Sequence, residues 1–368
     1  MKPLSIVHTE SSLGWGGQEI RILAESQGLA RRGHAVTVLC APQARILAEA
    51  VHWGVPAVAL PIATKRPAGL RALIDWLRAN PCDVLNTHSS TDSWLAAFAT
   101  RTGRAVPIVR TRHISAPVPR NPLSRWLYER GAAKVVTTGE ALKQELVHRN
   151  GFRAERIESV PTGIDAGRFR PGDRAAKRAA LGLPGEATLL GIVATLRSWK
   201  GHEYLIKAMP LLPKNLHLVI VGDGPMREVL QNMAEELDDR VRLRVRMVGD
   251  QRDVLPWLQA LDLFALPSYA NEGVPQALVQ AMLCRLPCVT TPIGSIGELA
   301  RDEITALVVP PRDRDALAAA ISRLAGDPAL RSELGTAARR HCVENFSYER
   351  MLDRMEAIYH DVAMAAHR

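Results

Sequence analysis

The strongest constraint in this chain is a rhythm that runs once and then restarts. Short apolar, β-branched runs alternate with helical patterns, and in the first half the runs are "LSIVHT", "AVTVLC", "CDVLNTH", "VPIVRTRH" and "AKVVTTG". A run that is apolar on successive residues suits a strand buried on both faces, which is the condition of a parallel sheet covered by helices. Segments 18–32 and 69–79 supply such helices. After "IESVPTGIDAGRFRPG" the alternation begins again with "TLLGIVAT", "LHLVIVGDG", "VRMVG", "LDLFALPS", "PCVTTP" and "ALVVPP". Two open α/β sheets, joined near residues 165–180, are expected to place ligands where the carboxyl ends of their strands face a common cleft. A helix over 316–325 and another from Tyr348 to Ala366 close the chain.

Length agrees with two units, since 368 residues exceed one ordinary core and a hydrophobic content of 47% fills two. No run reaches the roughly 18 apolar residues of a membrane span, and "LSIVHT" reads as a strand instead of a leader, so a cytoplasmic protein is expected. Cys40, Cys82, Cys284, Cys288 and Cys342 lie in apolar stretches, as reduced thiols do, and need no metal. Residues 1–168 carry 22 Lys and Arg against 13 Asp and Glu, whereas residues 169–368 carry 25 of each, so the net charge of +9 belongs to the first half. Its densest stretch runs from Arg101 to Arg130 and includes Arg120 and Arg125. That patch reads either as a solvated surface or as one facing anionic lipid or a phosphorylated acceptor; few aromatics interleave with the arginines, which argues against nucleic acid.

Several polar residues stand where strands end. In "SSLGWGGQE", Gly14, Gly16 and Gly17 precede a helix starting near Gln18, a place where backbone can approach an anion. No acid ends the second strand, so a dinucleotide site is not indicated. Arg197 and Lys200 in "LRSWKGHEYLIKA" form a short cationic loop able to clamp a diphosphate, and "VGDGP" and "LPSYANEGVPQ" end later strands of the same unit. Pro275 is placed to open a helix running to Leu286, on which Gln276 and Gln280 share one narrow polar stripe and Glu272 guards the entry. In the first half, His88 and Asp92 end one strand, and Arg112 and His113 end the next; Asp92 also suits a helix cap. Asp313 and Asp315 have the D-x-D spacing used to hold divalent ions, but their place after Pro-Pro and before an Ala-rich helix reads better as N-capping. No metal site emerges.

Taken in order, "GGQE", "VPTGIDAGRFRP", "VATLRSWKG", "VGDGPMRE", "DLFALPS", "NEGVPQALVQAM" and "FSYERMLDRMEAIY" resemble the retaining glycosyltransferases of family 4, over nearly the whole chain. The resemblance implies the GT-B fold: an α/β chain with two Rossmann-like, doubly wound parallel-sheet domains facing a cleft. It places an acceptor domain at 1–168, a nucleotide-sugar donor domain at 169–346 and a helix at 347–368 that crosses back to the first domain. Gly16 and Gly17 would approach the donor phosphates, and Lys200, helped by Arg197, would neutralise the diphosphate. Glu272 would hold hydroxyls of the transferred sugar, with the backbone of Gly273, Val274 and Pro275, while Gly222 and Gln280 complete the donor set. His113 matches the active-site histidine; His88, Asp92 and Arg112 are the acceptor-side candidates. No cofactor and no metal are implied, the nucleotide-sugar being a co-substrate.

Two positions depart from the family pattern. Ala194-Thr195-Leu196 replaces the usual Gly-Arg-Leu, and Gln280 replaces the second of two glutamates spaced eight apart. A glutamine can still bind ribose hydroxyls, without the carboxylate's charge. The implied activity is metal-independent, retaining transfer, by a hexosyltransferase, from a nucleotide diphosphate sugar, UDP-sugar favoured, to a cell-envelope glycan or glycolipid such as lipopolysaccharide core. The implied location is the cytoplasm, at the inner face of the membrane. A nucleotide-sugar epimerase of similar fold and a non-catalytic nucleotide-sugar binder are the alternatives; "EGVPQALVQ" favours transfer over the first, and Lys200, Glu272 and His113 over the second.

Overall fold

Every one of the apolar runs contains a strand in the computed structural model, which describes residues 2–366. The chain divides into two units, Met1–Thr162 with Glu349–Arg368, and Gly163–Tyr348. In the first, β1 (Ser5–Glu10), β2 (Ala35–Cys40), β3 (Ala57–Ala59), β4 (Val84–Thr87), β5 (Ile108–Arg112), β6 (Lys134–Thr137) and β7 (Ile157–Ser159) form one sheet in the order 3-2-1-4-5-6-7. In the second, β8 (Thr188–Val193), β9 (Leu216–Val221), β10 (Val245–Gly249), β11 (Leu263–Leu266), β12 (Cys288–Thr290) and β13 (Leu307–Val308) are ordered 10-9-8-11-12-13. All the strand pairings are parallel. β4 and β11 are buried at all of their positions, as strands covered on both faces must be. Each sheet reverses its strand order once, between β1 and β4 and between β8 and β11, and such reversals are where open α/β sheets leave a crevice at their carboxyl edge.

The sequence pattern missed two kinds of element and placed the end of one helix too late. β3 and β7 are only three residues long and lie at the two edges of their sheet, too short to show a period. Helix Pro328–Asn345 buries a narrow stripe of Leu334, Gly335, Ala338 and Cys342, too thin and small to stand out as an amphipathic face, although Asp327 caps it and Pro328 takes its first turn. The helix after Glu272 starts at Gln276, with Pro275 as its N-cap, and stops at Leu283 instead of reaching Leu286. Arg285 adopts a left-handed backbone (φ 63°) and Leu286 precedes Pro287, a position from which the proline ring excludes helical backbone. Gln276 and Gln280 are the half-buried polar edge of that helix, while Leu278, Val279, Ala281, Met282 and Leu283 are buried.

Helix Tyr348–Ala366 begins in the second unit's last residue and packs on the first unit. Its inner face buries Met351, Leu352, Met355, Ile358 and Tyr359, each worth roughly 1.5–3 kcal/mol when fully removed from water. Arg32 binds three of its carboxylates, Glu349 at 2.6 Å and Asp353 and Glu356 at 2.8 Å. Two of the three are mostly exposed, so water screens them and they add little. The buried contact is stronger: the Tyr359 hydroxyl donates to Glu25 Oε1 at 2.5 Å and accepts from Asn86 Nδ2 at 2.6 Å. Removing that hydroxyl strands two buried polar groups, so Tyr359→Phe is expected to lower stability by about 1–3 kcal/mol. Urea unfolding followed by a probe placed in the first unit checks this; an unmoved midpoint would mean the hydroxyl contributes nothing net.

Candidate active site

The loop after β8 and the loop after β11 meet at the second sheet's reversal. After β8 the chain makes a short 3-10 turn, Ser198–Lys200, which ends at Gly201 in a left-handed conformation (φ 79°). A Cβ at Gly201 would fall 2.1 Å from the Pro267 carbonyl oxygen, so only glycine lets the turn pass this close to the end of β11. The Tyr269 amide donates to the Trp199 carbonyl at 2.8 Å and stitches the two loops. Across this seam Lys200 Nζ donates to Glu272 Oε1 at 2.6 Å, and Ser268 Oγ donates to the same oxygen at 2.6 Å. The Glu272 carboxylate is 4% exposed and the Lys200 side chain 20%, so the ion pair is a shielded one with its cation still open to solvent. Gly294, left-handed at φ 57°, lies under the Glu272 carbonyl, where a Cβ would come within 2.0 Å.

Of the remaining donor-side candidates, Arg197, Gly222, Gly273, Val274, Pro275 and Gln280 belong to the same unit, whereas Gly16 and Gly17 belong to the first. Gly273, Val274 and Pro275 are buried and lead into the helix. Asn271 holds a left-handed backbone (φ 57°) that turns the chain into Glu272. Arg197 is exposed and its guanidinium lies over the Trp199 ring, 5.5 Å from the centroid. Gly222 (φ 139°) abuts the Ala194 carbonyl, with 2.0 Å left for a Cβ, so packing of the β8 and β9 ends suffices to explain this glycine. His202, next to Gly201, is buried with neither ring nitrogen partnered, and burial first and Lys200 second push it down to about 3. It is a neutral neighbour of the cation.

In the first unit, the carboxyl ends of β1, β4 and β5 carry a polar cluster. His8 Nδ1 lies 2.9 Å from His88 Nε2, and His88 Nδ1 lies 2.9 Å from His113 Nε2. Asp92 joins Ser89 in a capping box at the start of helix Ser90–Thr102, and its Oδ2 accepts from Thr9 Oγ1 at 2.8 Å and the His88 amide at 2.9 Å. Glu10 accepts from the Ser12 amide at 2.7 Å, from Ser89 Oγ at 2.6 Å and from Gln18 Nε2, pinning the loop that precedes helix Gly17–Arg31. Gly16 is the N-cap of that helix, with no side-chain cap, and Gly17 is its first residue. Burial raises Asp92 to about 6, and burial with the nearby Asp92 and Glu19 carboxylates raises Glu10 to about 8.

These contacts change the reading of three acceptor-side candidates. His88 is 5% exposed and both its ring nitrogens are already engaged, and Asp92 is fully buried in the capping box. In this structure His88 is held between two other rings and Asp92 by Thr9, the His88 and Ser89 amides and the helix start. Arg112 donates to Tyr128 Oη at 3.1 Å and to the Ala116 carbonyl, and it holds the loop after β5 in shape. His113 is partly exposed, and its Nδ1 makes no hydrogen bond among the described residues. The sequence reading missed His8, Glu10 and Ser268. Each is a polar residue at or just past the end of a buried strand, the signal that did single out His113.

Among the described residues one set, His34, Glu356 and His360, brings three ligand-type atoms within 4.8 Å of one another. The Leu4 amide donates to His34 Nδ1 at 3.1 Å, so the neutral ring carries its proton on Nε2, which donates to Glu356 Oε1 at 3.1 Å. Arg32 takes the other carboxylate oxygen at 2.8 Å. A metal needs the Nε2 lone pair, so this set reads as the latch of helix Tyr348–Ala366. Asp313 Oδ1 accepts from the Ala316 amide at 2.9 Å, the N-cap expected of it.

The second unit matches the family described as glycosyl transferases group 1 over residues 173–341, and the first matches glycosyltransferase family 4 over residues 15–168. A D-inositol 3-phosphate glycosyltransferase from Saccharomonospora viridis is 30% identical over 315 residues, 78% of this chain and 71% of the relative. This chain belongs to the family 4 glycosyltransferases. Anabaena HepE, solved with UDP and glucose, superposes on this family 4 enzyme with a TM-score of 0.86 at 20% identity, over 96% of this chain and 99% of HepE. WaaG, a glycosyltransferase involved in lipopolysaccharide biosynthesis, superposes with a TM-score of 0.74 at 19% identity, over 96% and 99%. The fold is GT-B, with two Rossmann-like domains. In this glycosyltransferase burial comes first among the causes that hold His88 and His113 well below the ordinary histidine range, and Arg21 adds to it. Histidine NMR at pH 6 is expected to find both rings neutral, where an unperturbed histidine near 6.5 is mostly protonated; a midpoint near 6.5 for either would contradict the burial argument.

Proposed function

We propose that this enzyme moves a sugar from a UDP-sugar to a cell-envelope glycan or glycolipid, without a metal and with retention at the anomeric carbon. The observation that carries the donor half is the Lys200–Glu272 pair at the β8/β11 reversal, in a chain of this family. As the bond to the sugar breaks, negative charge grows on the departing diphosphate. Lys200, the one member of the pair open to solvent, is placed to receive it, with Arg197 as an exposed second cation. Glu272, held on Oε1 by Ser268, keeps its other oxygen for hydroxyls of the transferred sugar, and Gly273, Val274 and Pro275 offer backbone beside it. Gly16, Gly17 and His113 are the first unit's own candidates in this reading, assigned by the family resemblance. Of the solved relatives, HepE supports the choice of UDP as leaving group.

Retention follows in this reading because the acceptor oxygen attacks from the face the diphosphate leaves. The acceptor's proton passes to the departing phosphate oxygen as the new carbon–oxygen bond forms. Lys200→Ala removes a partner of charge that develops only in the transition state, so turnover should fall at least about 100-fold while the fold persists. A panel of UDP-, GDP- and ADP-sugars with EDTA and envelope lipid-glycan extract, followed by nucleotide release and mass gain, tests the whole reading. Release with a matching mass gain identifies donor and acceptor together. Binding without consumption would return the chain to the non-catalytic alternative, and conversion of the donor without an acceptor to the epimerase.

A lipid-borne acceptor is supported by one face of the first unit. Trp94, Phe98 and Trp126 stack with centroids 5.8 to 5.9 Å apart, Arg101 lies 4.5 Å over the Trp126 ring, and Lys65 lies 5.8 Å over Trp94. Phe98 is 46% and Leu123 67% exposed, and Arg120 and Arg125 stand beside Leu123 in the chain, also exposed. Amphipathic rings and cations suit the headgroup layer of an anionic bilayer, and no helix of the described residues is long and apolar enough to cross one. The Saccharomonospora viridis relative is a D-inositol 3-phosphate glycosyltransferase, so a soluble anionic acceptor is the competing reading for the basic half. With each basic residue near such a surface worth about 1 kcal/mol, Arg120→Glu with Arg125→Glu should weaken binding to anionic vesicles at least about tenfold. Equal binding by the double variant would favour the soluble acceptor.

A further inference from the structure

Three histidines of the first unit, His8, His88 and His113, are coupled in a way the donor chemistry does not use. They belong to β1 and to the loops after β4 and β5, which are neighbours in the sheet. Register pairs His8 with Asn86 and Asn86 with Val109, so His88 and His113 stand progressively further toward the carboxyl edge, and the rings step outward as a row. The row is continuous, with nitrogen–nitrogen distances of 2.9 Å at both contacts.

A neutral imidazole has one N–H and one lone pair, so each contact needs a donor on one side and an acceptor on the other. Fixing one ring therefore fixes all three. Either every ring carries its proton on Nε2, or every ring carries it on Nδ1. The first arrangement ends inward in an N–H at His8 Nε2, a fully buried atom with no acceptor. The second ends there in a lone pair, and buried orphan N–H groups are the rarer and costlier of the two. Charges beneath the row act in both directions. Glu25 favours a proton at His8, whereas Arg21, 3.5 Å from Glu25, opposes positive charge at all three rings. Of these two charges only Arg21 acts on His88 and His113, where it adds to burial and to the neighbouring rings in opposing a positive charge.

We propose that His8 and His88 lock His113 in its Nδ1–H tautomer, so that His113 meets the reacting sugar as a neutral hydrogen-bond donor and not as a base. His8 and His88 are then positioning residues, and the proposal rests on the assignment above of His113 as the active-site histidine. An outward N–H can hold a sugar hydroxyl or a phosphoryl oxygen. It has no outward lone pair to take the acceptor's proton, so that proton has to leave with the diphosphate.

The test is imidazole nitrogen NMR on the full-length, histidine-labelled protein, with His113→Gln identifying the signals that vanish. In the unsubstituted protein His113 is expected to show a pyrrole-like Nδ1 and a pyridine-like Nε2. In His88→Asn the side-chain amide keeps a donor near the former Nδ1 position, and the pattern should persist. In His88→Leu that donor is gone, and the two His113 resonances should exchange character toward the Nε2–H form that free histidine prefers. A His113 protonated on Nε2 in the unsubstituted protein overturns the proposal, as does a pattern indifferent to His88→Leu. Should the leucine variant fail to fold, the spectrum of the unsubstituted protein decides alone. The readout needs no turnover, so an inactive sugar panel with the Nδ1–H pattern intact would fault the functional reading and leave the tautomer lock standing.

Discussion

A parallel sheet covered on both faces has no open face on which to display reactive groups, and this restriction organises both halves of the molecule. β4 and β11 are buried along their whole length, so polar chemistry is pushed to the residues just past the strand ends. There the strand order reverses, and neighbouring loops diverge or meet according to the order alone. Lys200 and Glu272 are 72 residues apart in sequence, yet a 2.6 Å ion pair joins them because β8 and β11 are adjacent. His8, His88 and His113 line up for the same reason in the other sheet.

The two polar sites use burial differently. In the second unit the acid is sealed and held by Ser268, while its cationic partner stays partly open to solvent. In the first unit almost everything is sealed. Glu10 and Asp92 take hydrogen bonds from Ser12, Thr9, Ser89 and the His88 amide, and the imidazoles take them from each other. Groups that would be costly to ionise are thereby fixed in position, and what reaches the surface is one edge of His113. Helix Tyr348–Ala366 contributes to this foundation through Tyr359, which links Glu25 to Asn86, whose Oδ1 takes the Thr111 hydroxyl.

Legibility in the sequence followed the physical strength of each signal. Long apolar runs announced the strands, and the glycines, cations and acid at their ends announced the donor-side candidates. β3, β7 and helix Pro328–Asn345 stayed hidden because three-residue strands and a stripe of small residues carry too little period. The helix after Glu272 was read too long because Arg285 gives no local warning of its left-handed backbone, and Pro287 alone marks the stop. His88, Asp92 and Arg112 stood at strand ends like His113, and nothing in their spacing distinguishes a side chain that is used up from one that is offered.

The sequence by itself determined the fold class, the family and the identity of the chemical groups, since hydrophobic period and motif order are properties of the linear chain. Only the tertiary structure decided which of those groups meet. The pairing of Lys200 with Glu272, the row running from His8 to His113, and the engagement of His88 and Asp92 all depend on strand adjacency and on burial. Hydrogen-bond partners and desolvation are set by neighbours in space, and the distance between two residues along the chain carries neither.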